Sequence, residues 1–181
     1  MMGFGIRRRF ARTRWGAAAL GFAIGGAACD VDEPEDLVDE PVIGDEDYER
    51  DASLNIELVS EAAGDSSHNA GENCMHCHQP RGPGPGLFTS AGTVYNSDGT
   101  LSAGATVELW TGFGGSGELR VAVEADSRGN FFTTEPVEFF GDEALFPFVR
   151  AADGERTTLM PFPTRSGACN VCHVGGFIVE L

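Results

Sequence analysis

Between Leu87 and Met160 the chain is cut into short β-prone runs by glycine- and aspartate-bearing turns. Strands are expected near Gly92–Tyr95, Thr106–Trp110, Leu119–Glu124, Asn130–Thr134, Leu145–Arg150 and Arg156–Met160. Asn96-Ser97-Asp98-Gly99, Asp126-Ser127-Arg128-Gly129 and Asp153-Gly154 are the turn signals between them. With 25 Gly and 9 Pro in 181 residues, this text suits strands and turns better than a helical bundle. Antiparallel strands at this spacing predict an all-β sandwich.

The β region is bracketed by two copies of one pentapeptide pattern. Apart from Cys29, every cysteine falls in Cys74-Met75-His76-Cys77-His78 or in Cys169-Asn170-Val171-Cys172-His173. Both are C-x-x-C-H, the attachment pattern of c-type haem. On one helical turn, two thiols three residues apart can each add to a porphyrin vinyl group, and the adjacent imidazole then projects at the iron. Two competing chemistries use the same thiols. An all-cysteine zinc site is one, but 91 residues separate the pairs and zinc does not explain a His after each. Disulfides are the other, although a ring closed over two residues constrains little and no thioredoxin-like βαβ pattern surrounds it.

Two covalently attached haems would be held by Cys74, Cys77, Cys169 and Cys172, with His78 and His173 as proximal iron ligands. Only His68 and His76 remain of the four histidines. They are the candidate distal ligands, His76 toward the second iron and His68 toward either. Met160 is a weaker candidate, its alternative being a strand or core methionine. Six strands between the motifs would return the chain to the pole it left and set them side by side, with Phe177–Leu181 adding a seventh strand or packing on a porphyrin. Gly82-Pro83-Gly84-Pro85-Gly86 reads as a stiff surface linker, and the glycine-rich 112–117 segment as a strand connection.

The phrasing Gly92-Thr93-Val94-Tyr95, Asn96-Ser97-Asp98-Gly99, Ala103-Gly104-Ala105-Thr106-Val107 and Asp126-Ser127-Arg128-Gly129-Asn130-Phe131 resembles the carboxypeptidase regulatory-like (transthyretin-like) domain. The resemblance covers about 50 residues and departs from the family pattern at Asn96 and after Phe132. It implies a Greek-key sandwich of about seven strands with no catalytic residues of its own.

The first residues read as an export address. Arg7, Arg8, Arg9, Arg12 and Arg14 precede an apolar run from Gly16 to Ala28, a secretory signal that is too short to span a membrane. Gly26-Ala27-Ala28-Cys29 resembles the lipobox of bacterial lipoproteins, departing from it at Gly26, which implies acylation of Cys29 and a membrane anchor. Arg7-Arg8-Arg9-Phe10 resembles part of a twin-arginine signal, a route for proteins folded before export, whereas haem is attached after it. Twelve acids between Asp30 and Asp51 then form a self-repelling tether.

The expected organisation is signal 1–28, tether 29–52, first attachment segment 53–86, sandwich 87–165, and second attachment segment with C-terminal strand 166–181. All 12 basic residues are Arg, against 28 acids. The absent Lys removes P-loop and Schiff-base chemistries, and the charge sign argues against nucleic acid. The function expected is one-electron transfer at the cell envelope, with redox partners presenting basic surfaces. The other class is a non-enzymatic envelope binding or structural module whose cysteine pairs hold zinc or disulfides. A peroxidase would need an open iron and a shaped pocket that this length hardly supplies.

Overall fold

The computed structural model describes residues 48–139, 144–175 and 178–181; the expected signal peptide, Cys29 and nearly all of the tether lie outside the described residues. Strand β2 (Thr106–Gly112) shows how the sequence makes this fold. Its Val107 and Leu109 are buried while the alternating Glu108 and Trp110 face outward, the period-two pattern of a half-buried strand. Val121 and Val123 of β3 (Ser116–Glu124) and Val149 of β5 (Phe146–Arg150) continue that inner face. Val94 of β1 (Ser90–Tyr95) and Phe131 of β4 (Asn130–Thr133) meet it from the opposite sheet. With β6 (Thr157–Leu159) and β7 (Val179–Glu180), the strands form two sheets, β4-β1-β7 and β3-β2-β5-β6. This is the expected all-β, Greek-key sandwich of seven strands.

The turn into β4 illustrates the local chemistry. The Asp126 carboxylate accepts the amides of Arg128 at 2.9 Å and Asn130 at 3.1 Å. Gly129, at φ 69°, completes the turn where a Cβ would come within 2.7 Å of the Val94 carbonyl oxygen.

Four features differ from the sequence expectation. The final strand is parallel to β1, with Val94 opposite Val179 and Tyr95 opposite Glu180. The long connection after β6 allows this crossover, whereas a short hairpin would force an antiparallel return. Residues 58–60 of the first attachment segment lie along β4, Val59 bridging Thr133 and Ser60 N–H donating to the Phe132 carbonyl at 2.9 Å, so they cover a sheet edge. Arg50, within the stretch expected to be tether, is part of the folded body (below). The glycine–proline stretch 82–86 is not a free surface linker, because Gly82, Gly84 and Gly86 are all buried.

Among the described residues six strands separate the two pentapeptides, and after them the chain comes back to the first. The Asn170 amide of the second pentapeptide donates to the Glu72 carbonyl, two residues before Cys74, at 2.8 Å. The two motifs are side by side.

Candidate functional site

Each pentapeptide closes the same turn. Asn73 caps the first by accepting the Met75 amide at 3.2 Å, Cys74–His76 forms a 3-10 turn, and the His78 amide donates to the Cys74 carbonyl at 3.1 Å. The second is a four-residue helix, α1 (Cys169–Cys172), whose His173 amide donates to the Cys169 carbonyl at 3.0 Å. In both, the histidine backbone is bonded one turn back to the first cysteine.

Around the first motif the side chains converge. Cys74, Cys77, His78 and His68 line one cleft of roughly 270 Å³, walled by the apolar Ile56, Leu58, Phe88 and Phe132. His78 is 6 % exposed and gripped from several sides. Its ring stacks on Phe88 with centroids 4.0 Å apart and planes within 4°, and Phe88 stacks in turn on Phe132 at 4.9 Å. Gly84 lies over the ring as well, since a Cβ there would come within 2.8–2.9 Å of Nδ1, Cε1 and Cγ. Three ring atoms at nearly equal distance mean an approach over a face, and Phe88 already fills one face.

His78 Nδ1 is 2.7 Å from the Pro85 carbonyl oxygen. A carbonyl only accepts, so Nδ1 carries the proton and Nε2 is left as the lone-pair nitrogen. A metal-ligating histidine has this second bond as a rule, because it fixes both tautomer and ring direction. Burial in the cleft pushes the His78 pKa below its ordinary value; the Pro85 bond opposes this, and the nearby His68 and Arg50 add to the lowering. The neutral, ligating form is therefore favoured.

The His68 ring centroid is 6.1 Å from that of His78, with planes tilted by 35°. At this spacing one metal ion held between the two rings would be within reach of both. Among the described residues, no group of three or more His, Cys, Asp or Glu side chains gathers into a metal-holding cluster.

The second motif is arranged differently. Cys169 packs against the sandwich core beside Gly92, while Cys172 is exposed and His173 half-buried. Burial, then the charges of Cys74 and Cys172, pushes the Cys169 thiol up to about 12. Burial also raises Cys74. Val171 and Val174, flanking Cys172 and His173, are 56 % and 52 % exposed. His76 is exposed on the first turn, and Met160 follows β6 with its amide bonded to the Pro147 carbonyl at 3.1 Å. Neither lines the His68–His78 cleft.

Sequence reasoning missed the residue that braces the His78 side of the cleft. The Arg50 guanidinium donates to the carbonyls of Leu54 at 3.0 Å, Gly86 at 3.3 Å and Gln79 at 3.5 Å, and also to that of Gly82. A single fork thus holds both ends of the 82–86 loop whose Pro85 carbonyl receives the His78 proton. The available signal was its position as the one base within an otherwise acidic stretch. Comparison with known protein families, with curated proteins and with solved structures finds no match.

Proposed function

We propose that the chain is an exported, lipid-anchored dihaem c-type cytochrome that relays single electrons at the cell envelope. The carrying observation is the first cleft: both thiols of one C-x-x-C-H, its histidine with Nδ1 bonded to a backbone carbonyl, and a second histidine with its ring centroid 6.1 Å away line one apolar-walled space. Cys74 and Cys77 anchor the group, His78 is the proximal ligand and His68 the distal one. Cys169, Cys172 and His173 hold the second group at the neighbouring turn. Haem supplies the one-electron couple. The protein's levers are axial ligation, burial and charge.

Cys29, as the acylated residue, places this body at a membrane surface, and the 28 acids steer association with basic redox partners in a salt-dependent way. Expression with export and haem-attachment machinery tests the reading. The expected product stains for haem on a denaturing gel and shows a Soret band with sharp α and β bands on reduction. His68→Ala is expected to turn one of the two haems high-spin. A colourless product that holds zinc or disulfides overturns the proposal.

A further inference from the structure

Thr93, Asn130 and Asn170 are 1 %, 1 % and 2 % exposed, and their side chains form one connected hydrogen-bonded chain. The Asn170 carbonyl oxygen accepts the Thr93 amide at 3.0 Å, and its Nδ2 donates to Thr93 Oγ1 at 3.0 Å and to the Glu72 carbonyl at 2.8 Å. Thr93 Oγ1 donates to Asn130 Oδ1 at 2.7 Å and accepts the Gly71 amide at 2.9 Å. Asn130 Nδ2 reaches Ser67 Oγ at 2.9 Å and the His68 carbonyl at 3.2 Å. Every outer end of this chain is therefore a segment that carries a candidate ligand. Ser67–His68 holds the distal histidine, Gly71–Glu72 leads into Cys74, and Asn170 sits inside the second pentapeptide, directly after Cys169.

A sandwich core has no need of such groups, since apolar side chains fill the same volume without requiring partners. A fully satisfied buried polar chain instead selects one arrangement of the segments it joins. Resting on the dihaem reading, we propose that Asn130, Thr93 and Asn170 are positioning residues that lock the two attachment sites into one unit. Asn130 sets His68 opposite His78, and Asn170 sets the spacing between the two cysteine pairs. With haem bound, the two sites so held would behave as an interacting pair, an electron accepted at one from a one-electron donor protein raising the electrostatic cost of the next at the other, with no bond made or broken.

Two isosteric substitutions separate these roles in the full exported holoprotein. Asn170→Asp keeps the acceptor for the Thr93 amide and removes both donors, including the link to Glu72. Asn130→Asp keeps the acceptor for Thr93 Oγ1 and removes the donors to Ser67 and His68. Haem content by haemochrome assay comes first; a wild type without haem fails the parent reading and is recognised as that failure. With two haems per chain, wild type is expected to show split redox waves and broadened electron paramagnetic resonance lines.

Asn170→Asp is expected to lose the splitting and the broadening while both irons stay low-spin. Asn130→Asp is expected to turn one iron high-spin, with added imidazole restoring it. Should an aspartate variant not accumulate, Asn170→Ala and Asn130→Ala carry the same expectations. Resonance lines without broadening in two-haem wild type, or unchanged broadening in a two-haem Asn170 variant, overturn the inference. The same change from both variants overturns it too, because that is the mark of general loosening.

Discussion

Gly84→Ala puts one methyl group where the structure has room for none. The new Cβ would stand 2.8–2.9 Å from three atoms of the His78 ring, and the ring has nowhere to go because Phe88 stacks on it and Phe132 stacks on Phe88. Overpacking of this kind costs about 1–3 kcal/mol. The smaller conformational freedom of the unfolded chain returns about 0.4–1 kcal/mol. The net loss is therefore about 1–2 kcal/mol, a fall of roughly 3–10 °C in the melting midpoint for a folded body of this size. Thermal unfolding of the haem-free protein by circular dichroism reads that term. The same methyl strains the imidazole's bond to the Pro85 carbonyl, so the loaded protein is expected to show a high-spin fraction as well. A variant that melts at or above wild type with an unchanged spectrum would refute the clamp.

Three further outcomes follow from the same geometry. Arg50→Gln is expected to destabilise by about 2 kcal/mol in urea unfolding, because charge-assisted bonds to four backbone carbonyls are lost from a half-exposed site; Arg50→Lys recovers only part, lacking the fork. In haem-free protein at pH 8, iodoacetamide is expected to label exposed Cys172 well before Cys169, whose thiol is pushed up to about 12; mass spectrometry giving equal rates contradicts this. In the haem-free chain, folded His78 resists protonation, so the unfolded state binds more protons once the pH drops below about 6.5. Stability is then lost as the pH falls from there toward the depressed folded value. Replacing His78 by Asn is expected to flatten the urea-derived stability profile between about pH 7 and 5, and an unchanged slope contradicts the assignment.

The sandwich was legible because its signals are local. Alternation in Val107–Trp110, the Asp126–Gly129 turn and the Asp153–Gly154 turn each act within a few residues, and the six strands between the motifs appear where those signals put them. The even strand count also anticipated that the two motifs lie side by side. The parallel pairing of β7 was hidden, since direction depends on a crossover rather than on any residue within Val179–Glu180.

Site details were legible only as far as chemistry is carried by residue type. C-x-x-C-H is visible in the sequence, and the scarcity of histidine made both His68 and His76 candidates, of which the structure brings His68 into the cleft with His78. The Pro85 carbonyl, the Gly84 backbone and the Arg50 fork carry no such mark, because their roles arise from tertiary approach. The same holds for Thr93, Asn130 and Asn170, which lie 37 and 77 residues apart in the pairs that bond.

The most direct measurement is the intact mass of the exported, mature chain, followed by peptide mapping across Cys74–His78 and Cys169–His173. The prediction is a mass exceeding polypeptide plus acyl groups by two haems, one retained on each peptide after denaturation. A chain weighing no more than its amino acids and acyl groups, with four free or mutually bonded thiols, would contradict it.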